Sequence, residues 1–321
     1  MEAATLETIW QGIKIPTPKP YNYNHIDSSC IPELNIGLND LGNRCLILEM
    51  PVGYNPGFVG EKKENITTFY NSTYNFIILE LTDNYYHALF IDLVISLYFK
   101  IKDIKDYKES TLIFISTINM WSSFLEDEKN DRHSEDMIKG IFGELSLLNE
   151  LLKTADHSNV NYFLKTWKGP YDTNHDFYLE DKNIEVKTKN NSKTDVSISS
   201  EFQLEEETGK SLELVVVSVE SVLLNGLTLE FLINQIRNKI ISLNGDHSIL
   251  YEALKKKAIT HRILSEYNIY QYTLISHNYY NCIENGFPRL IKSELPDNIN
   301  GVNYKLNLNG LESFIIKTVN F

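Results

Sequence analysis

Glu185-Val186-Lys187 is the first place where the chain offers chemistry. Acid-x-Lys alone selects nothing. The same spacing recurs at Glu61/Lys63, Asp103/Lys105, Asp106/Lys108, Asp127/Lys129 and Glu180/Lys182, and charged runs of this kind usually face solvent. Context separates Glu185 and Lys187 from the others. Ile184-Glu185-Val186-Lys187-Thr188 alternates like a half-buried strand, which puts both charged side chains on one face and Ile184, Val186 and Thr188 on the other. Upstream, His175-Asp176-Phe177-Tyr178-Leu179 alternates as well, and Glu180-Asp181-Lys182-Asn183 reads as the turn of a β-hairpin. Asp176 is therefore expected on the strand beside Glu185, so that two carboxylates and an ammonium share one patch. Carboxylate oxygens are hard ligands for Mg²⁺ or Mn²⁺. Such an ion activates and orients water and offsets charge growing on a phosphate, and a neighbouring ammonium adds to that stabilisation. The chemistry implied is phosphodiester hydrolysis by Asp176, Glu185 and Lys187. The competing reading is a half-buried structural ion pair, which needs no ligand.

Several elements must position this patch. Ser134 is a suitable N-cap for a helix with Glu135 and Asp136 in its first turn and Ile138, Ile141, Phe142, Leu145, Leu148 and Leu152 along one face. That helix must pack on the sheet and carries Glu144 toward it. Gln203 follows the second strand, in Ser199-Ser200-Glu201-Phe202-Gln203-Leu204. The apolar run 212–219 suits a central strand, and Leu229, Leu232, Ile233, Ile236, Ile240 and Leu243 form another amphipathic helix. Residues 134–243 thus read as helix, hairpin, strand, helix, an α/β sandwich with a mixed sheet.

The N-terminal part has a different pattern. Pro16, Pro18, Pro20 and Pro32 suggest an extended arm or loop over 14–35. A turn at Asp40-Leu41-Gly42-Asn43 leads to a strand over 44–50, and one or two strands follow in 67–82. Leu89, Leu93, Leu97 and Ile101 mark a buried helix, and 111–124 a second one. The polar run 126–132 is the expected boundary between an N-terminal mixed β/α domain, 1–130, and a second domain, 131–321, which ends in a strand-rich extension from about Ile269.

With 43 acidic and 30 basic residues, the net charge of −13 argues against a surface that coats itself with nucleic acid. It leaves room for local binding, or for a partner that supplies basic surface. Lys187, Lys189 and Lys193, and Lys255, Lys256, Lys257, His261 and Arg262, are either phosphate contacts or solubilising charge. Tyr267, Tyr270, Tyr272, Tyr279 and Tyr280 are either base-stacking groups or, more in keeping with alternation, sheet packing. Cys30, Cys45 and Cys282 fit neither a disulfide framework nor a metal site. The N-terminus lacks the pattern of a signal peptide and no apolar stretch is long enough to cross a bilayer, so a cytoplasmic protein free of membrane is expected.

The order Glu144, Asp176, Glu185-Val186-Lys187 resembles the PD-(D/E)XK nuclease superfamily. Further pieces are similar to a bacterial family of PD-(D/E)XK motif proteins: Trp167-Lys168-Gly169-Pro170, the Ser199–Leu204 segment quoted above, Phe287-Pro288-Arg289-Leu290 with Leu295-Pro296, and the turn Leu41-Gly42-Asn43-Arg44. His175, where the superfamily's name places Pro, precedes Asp176. The resemblance implies an α/β (α+β) restriction-endonuclease-like core. It implies a Mg²⁺- or Mn²⁺-dependent endonuclease with catalytic residues Asp176, Glu185, Lys187, Glu144 and Gln203, and a metal held by Asp176, Glu185, Val186 and Glu144. It also implies a place in a bacterial restriction or anti-phage system beside partner proteins, with DNA as substrate. The sequence does not separate DNA from RNA or a monomer from a homo-oligomer. The alternative is a catalytically idle scaffold of the same fold that binds a partner protein or nucleic acid, a reading the acidic balance favours.

Overall fold

The computed structural model describes residues 1, 3–28, 30, 32–126 and 132–321. The chain divides into two units, Met1–Lys129 with Asp246–Tyr251, and Asn130–Gly245 with Glu252–Phe321. Residues 127–131 of the polar run expected to mark the boundary lie outside the described residues.

The first unit begins with helix α1 (Ala3–Gly12), followed by β1 (Tyr21–His25), β2 (Leu34–Asn39), β3 (Arg44–Glu49), β4 (Glu61–Lys62), β5 (Ile66–Asn71) and β6 (Phe76–Leu81). These strands form one antiparallel sheet in the order β1-β2-β3-β6-β5-β4. Helices α2 (His87–Ile101) and α3 (Tyr107–Ser122) complete it. Leu89, Leu93, Leu97 and Ile101 are buried as expected, and so is nearly every other side of α2, down to Asp92, which accepts a 2.6 Å hydrogen bond from Tyr251. The expected arm or loop over 14–35 is corrected by the structure. It contains β1, an edge strand paired with β2 from Tyr21↔Asn39 to His25↔Asn35. Its sequence, Tyr-Asn-Tyr-Asn-His, has no apolar stripe to announce it, and main-chain pairing holds it in place.

The second unit carries α4 (Glu135–Leu151), α5 (Val160–Thr166), β7 (Phe177–Tyr178), β8 (Lys182–Asn190), β9 (Asp195–Ile198), β10 (Ser211–Val222) and α6 (Leu229–Ser242). After α7 (His247–Lys256), whose first residues belong to the other unit, come α8 (His261–Leu264), β11 (Gln271–Asn281), β12 (Tyr304–Asn307) and β13 (Ile315–Asn320). The main sheet is mixed, in the order β13-β11-β10-β8-β7, with β10 and β8 parallel and the other pairs antiparallel. β10 is central and buried on both faces from Leu212 to Val219, which accounts for its largely apolar run; of the two polar residues in it, Glu213 is paired with Lys182 at 2.8 Å. The strand-rich C-terminus proves to be part of this sheet through β11 and β13, and β12 pairs with β9 in a separate ribbon. Ser134 caps α4 by accepting from the Met137 amide. α4 lies directly on β8, and Gly143 makes this approach feasible: a β-carbon there would collide with Oγ1 of Thr188. The expected hairpin is present with a shorter first strand. The Asp176 amide still donates to Ile184 at 3.1 Å, so the pairing runs one residue past β7.

Candidate active site

β8 sets the side chains of Glu185 and Lys187 on one face, as the alternation requires. Glu185 is sealed from solvent, and its Oε1 lies 2.7 Å from Nζ of Lys187. Lys187 also donates to Oε1 of Gln203 at 2.9 Å, and that oxygen accepts the Ser199 amide at 2.8 Å. The Gln203 loop is itself tied down. Arg289 donates to the Leu204 carbonyl at 3.0 Å, and Glu201 accepts the amides of Gly301 and Val302. The Phe287-Pro288-Arg289-Leu290 segment therefore holds the loop that orients Lys187.

Asp176 stands on the neighbouring segment, and its Oδ2 accepts the Val186 amide at 2.8 Å. The Trp167-Lys168-Gly169-Pro170 segment wraps around it: the Lys168 and Gly169 amides both donate to the Asp176 carbonyl, at 2.6 and 3.0 Å. The Trp167 indole donates to Oε2 of Glu144 at 2.8 Å, and Nζ of Lys257 lies 3.3 Å from the other Glu144 oxygen. Gly169 is required by close approach. A β-carbon there would meet Oε2 of Glu144 and come within 2.8 Å of Oδ1 of Asp176. Both carboxylates thus border the small space left by the missing side chain.

The electrostatics follow from this crowding. Burial, then the charges of Glu185 and Glu144, hold the half-buried Asp176 carboxyl well above the usual range, despite the Val186 amide and Lys187. Burial pushes Glu185 from its ordinary 4.5 up to about 7, with Lys187 opposing the shift and Glu144 adding to it. Carboxylates held so far from their usual range are short of positive charge, and their oxygens are the hard donors that a divalent ion takes. Among the described residues no three Asp, Glu, His or Cys side chains converge as a metal cluster. The residues that would offer such oxygens are fewer: Asp176, whose Oδ2 takes the Val186 amide, and Glu185, with the main-chain oxygen of Val186. Glu144, expected as a further ligand, has both oxygens engaged by Trp167 and Lys257.

The other residues singled out from the sequence fall as follows. Lys189 shares the Lys187 face, and burial depresses its ammonium below the usual lysine range. Lys193 is exposed in the turn after β8. The His175 ring is buried against Tyr178, centroids 5.7 Å apart. Tyr267, Tyr272, Tyr279 and Tyr280 are core residues, so the packing reading applies to them. The three cysteines are free and buried. Among the described residues no helix is long and apolar enough to cross a membrane. Sequence reasoning missed Trp167 as the partner of Glu144 and, while leaving Lys257 open as phosphate contact or solubilising charge, missed its place beside Glu144. Trp167 had one available signal, since a buried indole N–H needs an acceptor.

No curated protein and no solved structure matches the chain. A family model described as "Putative PD-(D/E)XK family member" matches residues 6–309, a span that includes Glu144, Trp167, Asp176, Glu185, Lys187, Gln203, Lys257 and Arg289. With nearly its whole length matched by that model, the chain belongs to the DUF4420 family of PD-(D/E)XK proteins.

Proposed function

We propose that this protein is a divalent-metal-dependent endonuclease, with DNA as its substrate and a role in bacterial restriction or anti-phage defence. The observation that carries the catalytic part is the convergence on one face of β8. Lys187 lies between Glu185 and Gln203, and Asp176 is fastened to the intervening residue, Val186. The substrate and the defence setting rest on the family resemblance.

Asp176, Glu185 and the Val186 carbonyl would hold Mg²⁺ or Mn²⁺, which when bound lowers the pKa of water and offsets phosphate charge. The chain's own residues do the rest. Gln203 keeps the Lys187 ammonium from turning away, and Lys187 donates to oxygen on which charge develops as the phosphodiester is attacked. Glu144, fixed by Trp167, raises the negative potential that draws the cation in. Asp176 braces the strand through the Val186 amide while presenting its second oxygen.

One observation favours a second reading. The 2.7 Å contact of Lys187 with Glu185 is what a structural ion pair in an idle scaffold would make. Three variants separate the two readings, assayed for Mn²⁺ affinity, melting temperature and plasmid cleavage. Asp176→Ala abolishes cleavage and weakens Mn²⁺ binding with the fold intact. Glu144→Ala is milder on both. Lys187→Ala keeps Mn²⁺ and loses about 10²- to 10³-fold in rate, the worth of one transition-state donor. Undiminished cleavage by Asp176→Ala ends the nuclease reading, and a wild type that binds no Mn²⁺ establishes the scaffold.

A further inference from the structure

Lys257 enters the centre from outside the helix–hairpin core, more than fifty residues beyond Gln203. Its position is built with care. α7 ends at Lys256, and the turn after it closes with the Ala258 amide donating to Lys255 at 2.9 Å and the Ile259 amide to Leu254 at 2.9 Å. Ala258, at φ 54°, takes the left-handed position of this Schellman-type helix ending, a position usually given to Gly, and so fixes where the chain leaves α7. The Lys257 carbonyl is 2.7 Å from Nε2 of His133, and the amide of His133 is held by the Tyr267 hydroxyl at 3.0 Å. The helix ending on one side and the His133 contact on the other fix the main chain at Lys257, and its ammonium lies 3.3 Å from Oε1 of Glu144. A lysine that served only solubility would not be three-quarters covered against a buried carboxylate.

Charge explains the use of a second lysine. Glu144, Asp176 and Glu185 bring three negative charges when ionised, and Lys187 and Lys257 bring two positive charges. One divalent ion turns the resulting single negative charge into a single positive one, the complement of one phosphodiester. Without Lys257 the same ion would leave the centre neutral, and the −13 of the chain offers a polyanion little attraction elsewhere. Lys257 is about three-quarters covered, yet it retains enough exposure for an incoming phosphate to reach it.

We propose that Lys257 is a phosphodiester-anchoring residue of this centre, a second ammonium that meets the nucleic-acid backbone from the Glu144 side while Lys187 meets it from the strand. The proposal rests on the nuclease reading above. It is tested on the full chain in Ca²⁺, which stands in for Mg²⁺ while suppressing turnover. Binding of a short fluorescent DNA duplex, and of a single-stranded RNA, is measured by anisotropy over a range of KCl concentrations. Lys257→Gln is expected to bind the better of the two probes about tenfold more weakly at low salt, the worth of a charge-assisted hydrogen bond. It is also expected to reduce the slope of log K on log salt by one phosphate contact, about 0.9 on the duplex or about 0.7 on the single strand. Lys257→Arg restores the slope, and calorimetry shows Mn²⁺ bound to Lys257→Gln with wild-type stoichiometry. A structural role alone would lower the melting temperature and leave the slope unchanged. An unchanged slope in Lys257→Gln, with wild-type Mn²⁺ binding and cleavage retained, overturns this inference and spares the nuclease. A wild type that binds neither Mn²⁺ nor either probe overturns both.

Discussion

Replacing Glu185 by glutamine tests the physical account of the centre through a sign. Glu185 is sealed from solvent, and its carboxyl titrates at about 7 in the fold against an ordinary 4.5. The folded protein therefore holds this proton more tightly than the unfolded chain does. A raised acid contributes stability that is fully present below pH 4.5 and lost as pH rises through 7. The difference of 2.5 pH units corresponds to about 3 kcal/mol at 1.36 kcal/mol per unit. Asp176, raised for similar reasons, adds to the loss in the same direction. Glutamine resembles the protonated acid in shape and charge, so metal-free Glu185→Gln is expected to be more stable than wild type at pH 8 by about 3 kcal/mol. For a unit of this size that is about 6–12 °C in melting temperature. The advantage shrinks toward zero near pH 4.5. Saturating Mn²⁺ raises the melting point of the wild type and not that of the variant. If Glu185 serves only to pair with Lys187, removing it strands a largely buried ammonium and costs about 3–5 kcal/mol. Thermal scans at pH 5 and pH 8, with and without Mn²⁺, decide the matter. A variant less stable than wild type at pH 8, or a wild type whose stability is flat over that interval, refutes the reasoning.

Two further outcomes follow from local geometry. Gly169→Ala pushes a methyl group against Glu144 and Asp176, and overpacking of this kind costs about 1–3 kcal/mol; urea titration is expected to find that loss, with Mn²⁺ affinity down at least tenfold, and unchanged affinity would show that the two carboxylates do not act together. His277 is fully buried with its ring 2.9 Å from the Ser146 hydroxyl, and burial lowers it from 6.5 to about 4. A lowered histidine contributes stability that is present above pH 6.5 and lost as pH falls toward 4, here about 3 kcal/mol; His277→Gln should flatten that part of the stability profile in urea, and an equally steep profile in the variant would assign the loss to other groups.

The centre was readable from sequence where backbone periodicity alone decides side-chain direction. Alternation in 184–188 suffices to put Glu185 and Lys187 together, and a capped amphipathic helix suffices to bring Glu144 to the sheet. Periodicity does not report pairing partners. β1 was hidden because its residues are polar and its order comes from β2, and Tyr21–His25 alone gives no hint of that neighbour. α1 and α7 passed unnoticed for a related reason: each is ten residues long, and a segment of that length depends on tertiary packing to be helical. Lys257 is the hardest case. It sits in Lys255-Lys256-Lys257, a run that looks like solvent-facing charge. The left-handed turn at Ala258 and the His133 contact fix its main chain, and neither is encoded near it by any pattern.

Gly143 has a consequence beyond allowing a close fit. Where most helices rest on a sheet through a layer of side chains, α4 meets β8 with Thr188 against its backbone, one residue before Glu144 and three after Glu185. At that point side chain meets helix backbone directly, so the helix cannot slide there without moving the strand. The reorganisation that a catalytic centre must undergo on loading is confined to side-chain rotation, because the scaffold beneath is effectively one rigid piece. A structure with metal bound should superimpose on the metal-free one throughout α4 and β8, with change limited to the Lys187 ammonium as it parts from Glu185.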